Sequence, residues 1–324
     1  MVQLQGQSPV RAMRDEYRPD KRGSWRVGSR DGTLANTGNL NATLPMKLLR
    51  HGPAGSEKPG AFEADGTVRD LSLLVPDFTP EWLSLARLQA RSAIDLKRMP
   101  LVPPGTRLGT PVAGVRQFIA IGLNYRKHAQ ESGLAIPTDP VVFTKALTSL
   151  AGPNDDVTLP AGSEAGDWEI ELGFVIGTQA RRVSVDQALS HVAGYCLAND
   201  VSERDWQLKR GGQWGKGKSF DGFGPIGPWL VTTDELPDPQ NIPLELMVND
   251  HVRQRSNTAD MIFPVAEFVS HLSQFMTLLP GDVVITGTPE GGGLGIKPTP
   301  VFLRRGDVMT VSAGPLGTQR QRVV

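Results

Sequence analysis

Residues 167–177 read DWEIELGFVIG, a continuous apolar segment carrying two glutamates one residue apart. The segment has the composition of a β-strand, and strand side chains alternate between faces. Glu169 and Glu171 therefore share one face, while Ile170 and Leu172 share the other. Two carboxylates side by side on so apolar a strand are costly to bury unless a cation neutralises them. Either the strand lies at an exposed edge or the pair belongs to a cation site. After a helix-patterned stretch, SVDQALSHV, a second apolar strand, VAGYCLAND, ends in Asp200. If these two strands are neighbours, three carboxylates converge. Hard oxygen donors with open positions suit Mg²⁺, Mn²⁺ or Ca²⁺.

Three further segments carry polar groups in suggestive places. In GLNYRKHAQESG, His128 and Glu131 stand three apart, neighbours on one face if the segment is helical. A histidine oriented by a carboxylate is a general-base pair, although a solvated His beside a Glu has the same spacing. GGQWGKGKSFDGFGPIGPWL is dense in glycine and holds Lys216 and Lys218, but it lacks the spacing of a phosphate-binding loop. A lysine directed at a carboxylate or enolate oxygen suits it better. TGTP at 286–289 closes a strand, where the hydroxyl and N–H of Thr288 are placed to donate to an anion.

The rest of the chain sets the architecture. Thirty-four basic residues balance 34 acidic ones over 324 residues, so no charged footprint for nucleic acid or a membrane surface is present. No apolar run is long enough to cross a bilayer. The lone cysteine, Cys196, forms no intrachain disulfide and reads as a small core residue; with no signal-peptide pattern, the cytoplasm is the expected compartment.

Residues 1–45, rich in Arg, Gly, Ser and Asn, are expected to form a disordered leader, added or mis-assigned, with Met46 as the natural start. Residues 46–110 read as a small β-rich module. It contains a hairpin turn at Asp65-Gly66 and a helix capped by Thr79, with Pro80 and Glu81 in its first turn. Residues 111–324 form the main domain. Its elements include a helix with Ser184 and Gln187 spaced for a capping box, a hairpin turning at Asn249-Asp250, and an amphipathic helix in PVAEFVSHLSQFMTL. Strands outnumber helices and lack regular crossovers, which predicts a β-dominated α+β fold. Trp168, Trp206, Trp214 and Trp229 lie near these motifs, as core or subunit contacts or as a pocket wall.

Taken in order, GLNY…H…E, VVFTKALTSLAGPNDDVTLP, WEIELGFVIG, GYCLANDVSERDWQ, KGKSFDGFGPIGP and PGDVVITGTPEG resemble the fumarylacetoacetate hydrolase superfamily over roughly residues 115–324. The resemblance implies a β-roll catalytic fold, usually dimeric, working on a small 2-keto acid. It implies Glu169, Glu171 and Asp200 as ligands of Mg²⁺ or Mn²⁺, and His128 and Glu131 as a catalytic dyad on a mobile lid. Lys218 would act on developing negative charge, and Tyr125, Arg204, Gln207 and Thr288 would contact substrate. More narrowly, the chain resembles bacterial 2,4-diketo-3-deoxy-L-rhamnonate and L-fuconate hydrolases, which release pyruvate and lactate through a metal-bound enolate. The same site in relatives serves oxaloacetate or acylpyruvate decarboxylation, ureidoglycolate lysis or hydroxyheptadienedioate isomerisation, because a few pocket residues decide the substrate. A metal-binding protein without turnover is the reading from another class; it predicts a missing base, which this sequence does not show.

Overall fold

The computed structural model describes residues 47–63, 65–84, 88 and 95–324. The expected leader, 1–45, lies outside the described residues, as does most of the continuation of the helix expected from Thr79. The first turn of that helix is present: Thr79 O accepts from the N–H groups of Trp82 and Leu83.

Three strands open the chain, β1 (Lys47–His51), β2 (Lys58–Phe62) and β3 (Val68–Asp70). They are followed by β4 (Phe118–Gly122), β5 (Val141–Thr144), β6 (Leu150–Ala151) and β7 (Gly166–Asp167). The central strands are β8 (Ile170–Ile176), β9 (Val192–Asn199), β10 (Ser202–Glu203) and β11 (Gly224–Thr232). Then come β12 (Pro243–Val248), β13 (His251–Asn257), β14 (Val283–Ile285), β15 (Val308–Ser312) and β16 (Thr318–Arg322). Among the described residues the helices are short, the longest being Val265–Phe275. The fold is α+β and strand-dominated, as expected.

The main sheet runs β3-β2-β1-β11-β9-β8-β14-β4-β5, with β6 paired to β11. It is largely antiparallel; β14 pairs in parallel with β4. β1 pairs with β11, so the first three strands continue the main sheet, and Leu48, Ala61 and Leu71 share a core with Cys196, Ala198 and Leu230. The Asp65-Gly66 hairpin forms as predicted, with Gly66 at φ +92°. So does the turn at Asn249-Asp250, where both residues take positive φ, as a two-residue hairpin requires. The capping box at Ser184 does not form. The helix Val185–Ala188 is a single turn, and Gln187 N–H donates to the backbone carbonyl of Ser184.

Both faces of the main sheet are covered, so β8 and β9 are buried from end to end. One face of β8, with Ile170, Leu172, Phe174 and Ile176, packs into the core shared with the second sheet, β13-β12-β15-β16, and with helix Val265–Phe275. The other face carries Val175 and, from β9, Cys196 and Ala198; it packs toward the N-terminal strands. Glu169, Glu171 and Asp200 follow the alternation of this second face at its open end. Cys196 is a fully buried core residue, and burial pushes its thiol up to about 12.

Candidate active site

β8 and β9 run antiparallel in a register that sets Ile170 opposite Asn199 and Glu171 opposite Ala198. One residue further, Asp200 N–H donates to Glu169 O at 2.8 Å. The neighbouring-strand condition is met. The three carboxylates are buried and their oxygens come within 4.8 Å of one another.

Basic side chains from three other segments surround them. Lys218 Nζ donates to Glu169 Oε2 at 2.5 Å and to Asp200 Oδ2 at 2.7 Å. Lys145, at the end of β5, donates to Asp200 Oδ1 and to Phe223 O at 3.2 Å. Arg204 bonds Glu169 Oε1 at 2.6 Å and, through Nε, Asp167 Oδ2 at 2.8 Å. Lys218 reaches the cluster from the one-turn helix Gly215–Lys218, which sits close against Glu203–Gln207. A Cβ at Gly217 would fall 2.4 Å from Glu203 O. Only glycine permits that approach.

The three ligand candidates differ electrostatically. Burial alone would raise Glu169, but Lys218 and then Arg204 outweigh it and hold the carboxyl below its ordinary range. Glu171 is pushed well above that range, first by burial and then by Asp200 and Glu169. No Lys or Arg among the described residues pairs with it; its described donor is Gly287 N–H at 2.8 Å. Lys145 is lowered by burial, which the attraction of Asp200 only partly offsets, whereas Asp200 and Glu169 outweigh burial at Lys218 and raise it. Four carboxylates, counting Asp167, thus face three cationic side chains, and Glu171 is the carboxyl left without an ion-pair partner among the described residues. An all-oxygen donor set of this kind fits a hard divalent cation.

The cavity over these groups is about 420 Å³ and is also lined by His128 and Glu131. The helix Arg126–Ser132 forms as predicted and ends at Gly133 in the left-handed conformation. His128 Nδ1 lies 3.3 Å from Glu131 Oε2, which orients the ring, and no partner of Nε2 is seen among the described residues. Glu131 in turn accepts from Gly291 N–H at 3.1 Å. The loop after β14 supplies such donors repeatedly: Gly287 to Glu171, Gly291 to Glu131, and Gly293 and Leu294 to Asp167. Gly291 takes φ +92°, and a Cβ there would lie 2.0 Å from Arg253 O.

Arg204, Gln207, Lys218 and Thr288 all line the cavity. Gln207 Oε1 accepts from Arg204, which leaves its NH₂ to donate. Two expectations need correction. The Thr288 hydroxyl donates to Ile170 O at 3.0 Å and accepts from Gln254 Nε2 at 2.9 Å, so its proton is committed to holding β8 and only the backbone N–H remains for an anion. Tyr125 does not reach the cavity. Its ring is wholly buried and its hydroxyl has no hydrogen-bond partner among the described residues. Burial, then the charge of Glu171, pushes the phenol well above its ordinary range.

Lys145, Asp167 and Gln254 were not singled out from the sequence. Lys145 follows the apolar strand VVFT directly, a position where a lysine ordinarily extends its head to water. Asp167 precedes the Glu-x-Glu strand by two residues, which was its only signal. Trp214 realises the pocket-wall expectation, while Trp168 is core.

Comparison with known proteins now adds the lineage. The family model described as fumarylacetoacetate hydrolase, C-terminal, matches residues 117–324. The chain belongs to the fumarylacetoacetate hydrolase family. A Burkholderia ambifaria protein, whose name "Putative hydrolase" specifies no substrate, is 55% identical over 276 residues, covering 85% of this chain and 98% of that protein. A fumarylacetoacetate hydrolase from the psychrophile Exiguobacterium antarcticum superposes with a TM-score of 0.77 at 37% identity, over 86% of this chain and 99% of the other. A 5-carboxymethyl-2-hydroxymuconate delta-isomerase from Mycobacterium smegmatis gives a TM-score of 0.68 at 35% identity, over 86% and 98%. Among the described residues no helix is long and apolar enough to cross a membrane.

Proposed function

We propose that this chain is a divalent-metal-dependent hydrolase that cleaves a carbon–carbon bond of a 2,4-diketo acid and releases pyruvate. The observation that carries this reading is one cavity lined both by three buried carboxylates and by a carboxylate-oriented histidine. Glu169, Glu171 and Asp200 would hold Mg²⁺ or Mn²⁺, which when bound supplies Lewis-acid stabilisation of negative charge on the keto-acid oxygens.

The protein's own groups do the rest. Glu131 holds Nδ1–H of His128, so the imidazole takes a proton from water at Nε2. The resulting hydroxide adds to the carbonyl carbon at position 4. The bond between C3 and C4 breaks, and its electron pair passes into the pyruvyl fragment. His128 returns its proton to C3, giving pyruvate and a carboxylic acid. Arg204, the NH₂ of Gln207 and the third ammonium proton of Lys218 are the cationic or donating groups available to the substrate carboxylate. The sequence resemblance supplies the first substrate to try, 2,4-diketo-3-deoxy-L-rhamnonate.

A second reading has support in a structural neighbour named as an isomerase. The same histidine moving a proton at C3 without water attack gives isomerisation. Pyruvate release from 2,4-diketo-3-deoxy-L-rhamnonate and from simple acylpyruvates, with Mg²⁺ or Mn²⁺ and with EDTA, separates the two. Metal-dependent pyruvate is the expected result. No pyruvate from any of these substrates refutes the hydrolase reading and moves the search to isomerase, lyase and oxaloacetate decarboxylase assays.

A further inference from the structure

The lining of the cavity divides by chemistry. Apart from the charged and amide groups already described and Thr288, only Ser132 and Lys297 offer a charged or hydroxylated side chain. The remaining wall is apolar or glycine, and its large side chains include Leu123, Leu134, Phe143, Leu208, Trp214 and Leu294. Leu134, Leu208 and Leu294 are 55%, 46% and 38% exposed, unusually open for large apolar side chains grouped at one cavity.

The wall is tied to the charged floor by a defined path. Lys218 Nζ stands 5.6 Å from the centre of the Phe143 ring. Trp214 meets that ring edge to face, with centroids 5.7 Å apart. Arg204, Gln207 and Leu208 lie on one helix at spacings of three and four residues, which places Leu208 one turn beyond the guanidinium on the same side. Leu134 stands just past the left-handed cap Gly133 of the His128–Glu131 helix, where its N–H donates to Ala129 O and its side chain lines the cavity. A substrate whose 2-keto-acid head sits among the charged groups therefore sends its distal end along Phe143 and Trp214 toward Leu208 and Leu134. The cavity volume falls within the range of pockets that enclose ligands of some tens of atoms.

We infer that the distal acyl group of the substrate is an extended apolar chain or ring, read by Leu134, Leu208, Phe143 and Trp214, and not a short hydroxylated or carboxylated one. This inference rests on the 2,4-diketo-acid reading and narrows it, away from 2,4-diketo-3-deoxy-L-rhamnonate, whose lactoyl end is short and hydroxylated, and toward acylpyruvates with longer apolar tails. One helical turn rises about 5.4 Å, which an acyl chain of about four to six carbons spans. A hydroxylated tail would lose water here and meet, beyond the charged floor, only the polar ends of Ser132 and Lys297.

The test is a homologous series of acylpyruvates, from acetylpyruvate to octanoylpyruvate, with benzoylpyruvate and succinylpyruvate, assayed for pyruvate with Mg²⁺. kcat/KM is expected to climb about two- to fourfold per methylene until the chain outgrows the wall. Succinylpyruvate should fall below its uncharged counterpart of equal length. If it instead leads the series, Lys297 reads a distal carboxylate and the inference is overturned. Leu208→Asn and Leu134→Asn, both at solvent-reached positions, should flatten the slope, costing the long substrates more than acetylpyruvate. An equal loss on all substrates overturns the assignment of the wall. Calorimetric binding of unreactive 2-oxo acids, from 2-oxobutanoate to 2-oxodecanoate, reads the wall without turnover. Affinities that rise with length while no acylpyruvate is cleaved refute the hydrolase reading and leave the apolar wall standing. Affinities flat with length refute the wall whether or not cleavage occurs.

Discussion

Glu171→Gln is the perturbation with the most informative sign. In the metal-free protein, Glu171 is buried with Glu169 and Asp200, their oxygens within 4.8 Å, and has no cationic partner among the described residues. Each like-charge contact at that separation costs about 3.5 kcal/mol at an effective dielectric constant of 20. The group avoids that cost by keeping its proton. Burial first, and then the charges of Asp200 and Glu169, raise its folded value above the ordinary 4.5. A carboxyl raised in the folded state contributes stability that is complete below the unfolded value and is lost as pH rises through the folded value. Across that window metal-free wild type should lose about 1.4 kcal/mol per pH unit through this group. The glutamine variant, which imitates the protonated acid permanently, should lack this slope. A bound divalent cation reverses the balance: at 1,000 times its Kd it stabilises wild type by about 4 kcal/mol. For a chain of this size that is roughly 8 °C in Tm. Thermal unfolding at pH 8 with EDTA and with 10 mM Mg²⁺ reads both effects. Glu171→Gln should melt above wild type in EDTA and below it in Mg²⁺, with no turnover in either. A variant that melts below wild type in EDTA and gains as much from Mg²⁺ refutes both the electrostatic reading and the ligand assignment.

Other perturbations test the neighbouring parts. His128→Ala should retain the Mg²⁺-induced rise in Tm while losing roughly 10²- to 10⁴-fold in pyruvate release, the range of a lost general base; hydrolysis at the wild-type rate would exclude His128 as the base. Gly291→Ala forces a Cβ onto Arg253 O at positive φ, so denaturant unfolding should show a loss of about 1–3 kcal/mol, with lower activity because the displaced loop moves the backbone N–H that Glu131 accepts from. Unchanged stability would mean that the loop relaxes freely. Cys196, with its thiol pushed up to about 12 and no exposure, should resist thiol reagents at pH 8 in the native state and react once denaturant is added. Fast native labelling would show that the central strands open.

The alternation of Glu169, Ile170, Glu171 and Leu172 depends only on strand periodicity, so both the strand and the shared face of the carboxylates were legible in the chain. The same holds for local devices whose causes lie within a few residues: the Asp65-Gly66 and Asn249-Asp250 turns, the His128–Glu131 spacing on a helix, and the amphipathic helix Val265–Phe275. What the sequence left conditional was every fact that joins distant segments. That Asp200 stands beside Glu169 follows from the register of β8 against β9. That residues 47–70 extend the main sheet follows from β1 pairing with β11, a contact between segments some 180 residues apart. Burial decided the rest. Lys145 looks like a solvent-facing lysine until the fold encloses it against Asp200. Tyr125 looks like a site residue until the fold buries it away from the cavity lining, and the Thr288 hydroxyl looks free until Ile170 O and Gln254 take it. Periodicity fixes which way a side chain points along its own element, but only tertiary packing fixes what it meets there, because charge pairing and desolvation act through space and carry no local signature.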